Sequence, residues 1–373
     1  MSRNAVFGFL GIVASMFIVI APVSAHHVTA AKFDPGKSMT LRGLVTKIDW
    51  LNPHVHVFVD VGNGNNITSW AIELESTVDL RRSGWTRDTL KIGDAVTVQG
   101  IAARDGSNQA WGNSIVVTAT NRRVFNVTPV QPPRDRAAGP TPRWPDGQPR
   151  LGPPAGQVMG YWAFPSATTL MQMGANVQAD EHGLLRNLGD IDKVAPFQRW
   201  ARDLYEYRQR NFLKDDPMYI SCKPQAGPRI FQRPYGVQFL EERQHQRTRV
   251  MMGAGNQNWR FIYLDGRPQT GSIEGNSDTP LYWGHSAGKW EGDTLVVDIK
   301  GFNDSFWFSN GGLPHTTQLH LTERYTRTDL NTLRYEVTID DPGAYTRTWT
   351  SSWTLTWIPN EELPIYYCQD NRP

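Results

Sequence analysis

Four histidines near the start of the chain have the residue type and spacing of a metal site. His26 and His27 are adjacent, and His54 and His56 are separated by one residue in a stretch of alternating valines. Residues i and i+2 of a strand point the same way, with side chains about 6–7 Å apart, so His54 and His56 can face one ion. A nitrogen-rich set of this kind suits copper or zinc. The alternative is that these histidines line the outside of a sheet whose core is formed by the valines.

The first 25 residues have the features of a secretory signal peptide. Arg3 supplies the positive charge, residues 5–21 form an apolar run, and Val23-Ser24-Ala25 has small residues at the cleavage spacing. Removal of residues 1–25 leaves His26 at the N-terminus, where its α-amine and imidazole together offer a geometry suited to copper(II). Cleavage at another position, or a solvated His-His start, is the alternative. We expect a periplasmic or secreted protein.

Composition narrows the classes of function. The chain is 39% hydrophobic and 20% charged, and its formal net charge of +2 gives no electrostatic surface for nucleic acid. After signal cleavage, no apolar run approaches the roughly 20 residues of a membrane span. The sequence lacks GxSxG, HExxH, P-loop and CxxCH motifs, which argues against common hydrolases, zinc proteases, nucleotide-binding proteins and cytochromes. A small-molecule ligand is the expected partner, and whether the protein is an enzyme stays open, as does its oligomeric state.

Both cysteines lie in the second half of the chain. Because an exported chain meets an oxidising compartment, Cys222 and Cys368 are predicted to form a disulfide. The loop of about 147 residues that it closes corresponds to about 4–5 kcal/mol in the chain-entropy model. A catalytic thiol is the alternative, but neither cysteine has an adjacent histidine or a CxxC pattern.

The predicted fold is mainly β and begins with a compact module at residues 26–124. Three predicted strands are followed by one short helix and two further strands, an order typical of an OB-like five-stranded barrel. The helix has Ser76 or Thr77 available as its N-cap. In chain order, the predicted elements cover residues 38–50, 54–61, 66–75, 76–83, 94–101 and 109–119.

The remainder of the chain divides into a linker and a larger β domain. Residues 125–158 are rich in proline and predict an extended linker. Residues 159–373 predict a helical lead-in followed by an antiparallel β-barrel or curved sheet that encloses a small ligand. The helix at residues 196–213 carries an aromatic stripe that we expect to pack inward. In the last strand, residues 346–357, a hydroxyl face alternates with an aromatic face. The aromatic stripe of the helix at residues 196–213 consists of Phe197, Trp200, Leu204 and Tyr207.

The C-terminal domain carries the candidate catalytic and ligand-binding residues. His315, Glu323 and Asp293 are the candidate acid–base groups, brought together from different strands or loops. Each also has a structural explanation, since Asp293 suits a turn and Glu323 can pair across strands. The side chains proposed to stack on an aromatic or sugar-like ligand, which could equally belong to the core, are Tyr282, Trp283, Trp290 and Trp307.

Two segments resemble uncharacterised sequences of exported bacterial proteins. The first has HHVTAAKFD at residues 26–34, GLV at 43–45 and NPH at 52–54, and it resembles a domain-of-unknown-function family over roughly residues 26–120. The second has GKWEGDTLVVD at residues 288–298, with Glu323-Arg324 and Asp340-Asp341-Pro342 downstream. These resemblances imply export and a bacterial source, but no reaction.

Three functions therefore remain open. The first is an exported periplasmic protein that binds or processes a small aromatic or sugar-like ligand in the C-terminal β domain. The second is a copper- or zinc-binding protein that uses the N-terminal histidine and the His54/His56 strand. The third is a non-catalytic module for interactions in the cell envelope.

Overall fold

The chain folds into two β units, as the sequence predicts. The computed structural model describes residues 32–51, 54–64, 66–126, 139–163, 170–179, 183–211, 215–218, 223–231, 236–253, 258–267 and 281–364. Strands dominate these ranges, with few and short helices. Cys222 and Cys368 lie outside the described residues, so the disulfide stays a prediction.

The N-terminal unit is the predicted OB-like barrel with one added strand. β1 pairs with β2 and β4, while β5 pairs with β4 and, in parallel, with β3. These pairings close five strands in the cyclic order β1-β2-β3-β5-β4, and β6 extends the sheet beyond β5. The elements are β1 (Phe33–Asp49), β2 (His56–Asn63), β3 (Asn66–Glu73), α1 (Thr77–Arg82), β4 (Ala95–Ala103), β5 (Gln109–Val117) and β6 (Arg122–Asn126).

Alternation along β2 determines which side chains enter this barrel. Val55, Val57 and Val59 are fully buried in its core. His56, between Val55 and Val57, and His54, just before Val55, are left on the outer face because successive side chains of a strand point to opposite sides. The following helix, α1, starts where the sequence predicts, with the Ser76 hydroxyl oxygen accepting a hydrogen bond from the Asp79 amide at 3.0 Å.

The C-terminal unit is a closed barrel of nine strands. Its order is β10-β11-β12-β13-β14-β15-β7-β8-β9, and every neighbouring pair is antiparallel except β10 and β11. The strands are β7 (Gly160–Ala163), β8 (Val237–Glu242), β9 (Arg247–Met252), β10 (Asn258–Tyr263), β11 (His285–Glu291), β12 (Thr294–Lys300), β13 (His320–Arg327), β14 (Thr332–Asp340) and β15 (Trp349–Pro359).

Side chains fill the interior of this barrel. The aromatic face of β15 points inward and its hydroxyl face points outward, as the alternation predicts: Trp353 is buried, whereas Ser352 and Thr354 are exposed. Rings from several strands pack against one another, including Tyr335 of β14 and Trp353 of β15 with centroids 4.7 Å apart. The interior at the described positions is therefore filled by buried aromatic and aliphatic side chains.

Part of the predicted linker packs on the barrel. Leu151 is fully buried, and the carboxylate of Glu241 accepts hydrogen bonds from the Trp144 indole and the amides of Leu151 and Gly152. Arg143 donates two hydrogen bonds to Asp293, at 2.8 and 2.6 Å. Residues 139–152 thus form a strap, because a proline-rich segment can lie extended on a surface that satisfies its backbone groups.

The helical lead-in contains two short helices, α2 (Ile191–Val194) and α3 (Arg199–Arg210). The predicted inward stripe is wrong at Trp200 and Tyr207, which are 45% and 40% exposed, whereas Phe197 packs against the core. The buried stripe includes Gln209, whose amide nitrogen donates to the Gly183 and Gly311 carbonyls. Hydrophobic periodicity does not predict this face, because a polar side chain, Gln209, is buried on it through hydrogen bonds to backbone carbonyls. Within the described ranges, no helix has the length and apolarity needed to cross a membrane.

Candidate functional site

Chemically active side chains form a row across the outer face of the OB-like barrel. Asp49 on β1 is opposite His56 on β2, His56 is opposite Glu73 on β3, and Glu73 is opposite Trp111 on β5. Directly opposite residues share a face of the sheet and have neighbouring Cβ atoms. His54, two positions before His56, joins this row through its contact with Glu73.

Glu73 is the centre of the cluster. Its carboxylate lies 2.5 Å from Nδ1 of His54, 2.8 Å from Nζ of Lys32 and 3.6 Å from Nε2 of His56. Burial alone raises the pKa of Glu73, but the hydrogen bonds with His54 and His56 and the charge of Lys32 outweigh it and hold that pKa well below its usual range. Glu73 is therefore an anion, and an anion only accepts hydrogen bonds.

The ionisation of Glu73 determines the tautomer of His54. Because the carboxylate is the acceptor, Nδ1 of His54 carries the proton, and in the neutral ring the lone pair is on Nε2. Trp111 fixes the same ring edge-on, with centroids 5.3 Å apart and planes at 80°. The result is an imidazole with a defined orientation, whose Nε2 is not the nitrogen that contacts Glu73.

The described chain begins beside this cluster. Lys32 is hydrogen-bonded through its carbonyl to the Arg104 amide at 2.9 Å, and its ammonium group contacts Glu73. His26 and His27 lie outside the described residues. His26 and His27 are six and five residues before Lys32 in the sequence, and six extended residues span at most about 22 Å.

The distances in the cluster indicate how a metal would be held. Two ligands of a tetrahedral ion with bonds of 2.0–2.1 Å are about 3.4 Å apart. The 2.5 Å separation between His54 and Glu73 is too short for Nδ1 and the carboxylate both to be ligands. Accordingly, no group of three or more His, Cys, Asp or Glu residues in the described ranges is arranged to hold a metal. A metal ligated by His54 would therefore be bound through Nε2, the nitrogen that does not contact Glu73.

The three predicted catalytic residues occupy separate environments. Asp293 is exposed in the turn between β11 and β12 and pairs with Arg143. His315 is buried, with Nε2 at 2.8 Å from the Phe306 carbonyl oxygen and Nδ1 at 3.3 Å from that of Thr316, and burial lowers its pKa. Glu323 lies in the barrel interior. The structure thus does not bring the three together.

Glu323 instead belongs to a buried polar network. It is 0% exposed and accepts hydrogen bonds from Arg260, from Tyr325 at 2.7 Å and from Tyr335 at 2.9 Å. Arg260 also donates to the Tyr325 oxygen at 2.9 Å. This network pairs the two buried charges and directs the packing of the surrounding core, and Nε of Arg260 has no hydrogen-bond partner among the described residues.

The four predicted ligand-stacking residues do not converge on one surface. Tyr282 and Trp283 are neighbours, and they donate hydrogen bonds to the carbonyls of Pro224 and Gln225. Trp290 lies near the opposite end of β11. Trp307 is buried beneath the guanidinium of Arg208, 4.5 Å from its ring centroid. Only the first two form a local aromatic pair.

Sequence reasoning missed Glu73, Lys32 and Trp111. A signal for Glu73 was present, because Trp70, Ile72 and Leu74 share one predicted face and leave Glu73 on the other. That face is the one on which the neighbouring strand β2, which precedes β3 in the chain, carries His56, with His54 just before it. The pairing register, which places Glu73 opposite His56, is not contained in the strand patterns.

The molecule is thus an OB-like barrel, with imidazoles oriented by a carboxylate on its outer face, followed by a nine-stranded barrel. Residues 15–112 match the model of a family of unknown function, DUF6152. The match agrees with the uncharacterised N-terminal domain indicated by the sequence motifs, and it covers all four candidate metal ligands together with Glu73 and Trp111. No curated protein and no solved structure matches the chain.

Proposed function

We propose that the protein is an exported copper- or zinc-binding protein whose metal site lies on the outer face of the OB-like barrel. The ligands are His54, His56 and the N-terminal histidine that signal cleavage creates, with His27 adjacent to it. The observation that carries the proposal is the contact between His54 and the buried carboxylate of Glu73, 2.5 Å from Nδ1.

A carboxylate behind an imidazole is the usual support for a metal ligand. It fixes the ring, assigns the proton to the nitrogen that does not bind the metal, and makes the other nitrogen more basic. Glu73 meets these conditions for His54, and its charge is balanced by Lys32. The cost of burying this carboxylate is thereby offset without neutralising it.

The proposed donor set favours copper(II) over zinc. His26 contributes an α-amine and an imidazole when it is the first residue, and His54 and His56 supply two further imidazoles. Nitrogen-rich ligands in a tetragonal arrangement are typical of copper(II). Bound copper supplies a redox-active ion, while Glu73 keeps the His54 ring oriented toward it.

The test is metal content and copper titration of protein exported by a host that cleaves the signal. With a C-terminal tag, intact mass gives the first residue, and elemental analysis gives the metal per chain. We expect a chain starting at His26 to bind close to one copper. Glu73→Gln should weaken copper binding about 10- to 100-fold, the usual effect of losing a supporting carboxylate.

Two controls make this test specific. His245→Gln removes an exposed histidine of the C-terminal unit and should leave copper binding unchanged. One alanine inserted before His26 should abolish the contribution of the terminal amine. Failure of a chain that begins at His26 to take up either copper or zinc, or equal metal binding by His54→Gln and His245→Gln, would overturn the proposal.

A second candidate function is binding of a small aromatic or sugar-like ligand by the C-terminal domain. The observation that favours it is the Tyr282–Trp283 pair, half-buried rings held 5.7 Å apart by hydrogen bonds to carbonyl groups. Fixed, partly exposed rings suit stacking on a flat ligand. Trp283→Phe should then weaken ligand quenching of tryptophan fluorescence in metal-free protein, and an unchanged quenching curve would refute this assignment.

A further inference from the structure

A cleft opens at the end of the OB-like barrel where β1 finishes. It has a volume of about 310 Å³ and is lined by Ile48, Asp49, Trp50, Leu51 and Arg87. That volume is at the lower end of the range for small-molecule sites. The cleft also adjoins the row of imidazoles, because Asp49 is the direct cross-strand neighbour of His56.

The walls of the cleft combine an apolar surface with one available cation. Trp50 stacks on Trp85 with ring planes 15° apart, which holds the Trp50 indole in place. Leu51 is 48% exposed, a large fraction for a leucine. Arg87 is exposed, and its guanidinium contacts no hydrogen-bond or ion-pair partner among the described residues. A guanidinium beside fixed apolar groups is a typical receptor for a carboxylate on a flat molecule.

The charges at the cleft are consistent with an anionic ligand. Asp49 is the one acidic lining residue, and Lys47 neutralises it with Nζ 2.7 Å from its carboxylate. Arg87 is therefore the one charged lining residue without an ion-pair partner among the described residues. One guanidinium matches the two oxygens of a carboxylate, whereas a nucleic acid would require a track of basic residues.

We propose that this cleft binds a small organic carboxylate with a planar apolar body. The Trp50 and Leu51 side chains contact the body, and Arg87 pairs with the carboxylate. The cleft does not depend on a metal. Presentation of the ligand beside a bound ion at His56 and His54 is a further step, which rests on the proposed function.

The first experiment uses ligand-observed NMR on the metal-stripped full chain with benzoate and its neutral isostere benzamide. We expect benzoate to bind with a millimolar Kd and benzamide more weakly. Because an ion pair at an exposed guanidinium contributes little, Arg87→Met should weaken benzoate binding about three- to fivefold. Arg81→Met removes an exposed charge from α1 and should bind benzoate as the wild type does. Arg87→Lys should recover part of the affinity.

The outcomes separate the cleft from the metal. No benzoate binding up to about 50 mM, or equal affinities for Arg87→Met and Arg81→Met, would overturn the cleft proposal. In copper-loaded protein, bound benzoate should show enhanced proton relaxation, and an enhancement that Arg87→Met reduces supports the link to the metal. Benzoate binding without this enhancement would overturn that link alone. If copper does not load while benzoate still binds, the metal proposal fails and the cleft stands.

Discussion

Replacement of Glu323 by glutamine tests whether one charge pair organises the interior of the nine-stranded barrel. Glu323 is 0% exposed and Arg260 is 6% exposed, and the two are directly hydrogen-bonded. An arginine does not lose its proton in a protein, so Glu323→Gln leaves a buried guanidinium without a counter-charge. Breaking a buried pair in this way costs about 3–5 kcal/mol.

The double variant gives the sharper expectation. Arg260→Met together with Glu323→Gln removes both charges, while the glutamine carbonyl oxygen can still accept a hydrogen bond from Tyr325 or Tyr335. We expect the double variant to be more stable than Glu323→Gln alone by about 2 kcal/mol. Glu336→Gln, on the neighbouring strand, breaks a surface pair with Arg334 and should change stability by less than about 1 kcal/mol.

Urea unfolding followed by tryptophan fluorescence measures these differences. In a thermal melt of the same variants, a loss of 3–5 kcal/mol in the free energy of unfolding corresponds, for a domain of this size, to a decrease in Tm of roughly 6–20 °C. The reasoning fails if Arg260→Met destabilises the Glu323→Gln background as much as it destabilises the wild type, because the two side chains would then be uncoupled.

Three further predictions concern pH, backbone conformation and helix capping. Burial lowers the pKa of His315 from its usual 6.5, so its stabilising contribution is complete above about pH 6.5 and decreases as the pH falls. In thermal melts, the Tm of His315→Gln should therefore decrease less steeply with falling pH than that of the wild type. An identical decrease would contradict this. Gly236 has a φ of +79°, and a Cβ there would lie 2.1 Å from the Trp162 carbonyl oxygen, whereas Gly266, with a φ of +70°, faces open space. In urea unfolding, Gly236→Ala should therefore cost more than about 2 kcal/mol and Gly266→Ala about 1 kcal/mol, and equal losses would refute the steric argument. Ser76→Ala removes the cap of α1 and should cost about 1 kcal/mol by the same assay, with no loss arguing against the hydrogen bond to Asp79.

The sequence predicts the strands well because one face of each strand is buried in a core and the other is closer to solvent. Alternating valines predict the buried face of β2, and alternating threonine and tryptophan predict the two faces of β15. The order of strands and helix also predicts the OB-like barrel. By contrast, the strap at residues 139–152 has no periodicity, because its attachment depends on individual contacts such as Arg143 with Asp293. Composition alone therefore predicts a linker.

At the candidate site, too, the pattern within one strand is predictable from the sequence, whereas contacts between strands are not. Spacing along one strand is enough to predict that His54 and His56 share a face. Their common partner, Glu73, comes from another strand, and a shift of one residue in register would place Ile72 opposite His56 instead. His315, Glu323 and Asp293 have suitable chemistry, but residue type carries no information on which elements become neighbours. Their separation in the structure follows from strand pairing that no local pattern specifies.

The first and last strands of the C-terminal barrel pair with each other, and the barrel cannot close until this pair has formed. β7 begins this unit, β15 ends it, and Trp162 is paired with Trp357 across the junction. A chain in which β15 has not yet paired therefore presents two unpaired strand edges, those of β7 and β14, which are prone to association with other chains. The long sequence separation between β7 and β15 makes this closure a slow step of folding.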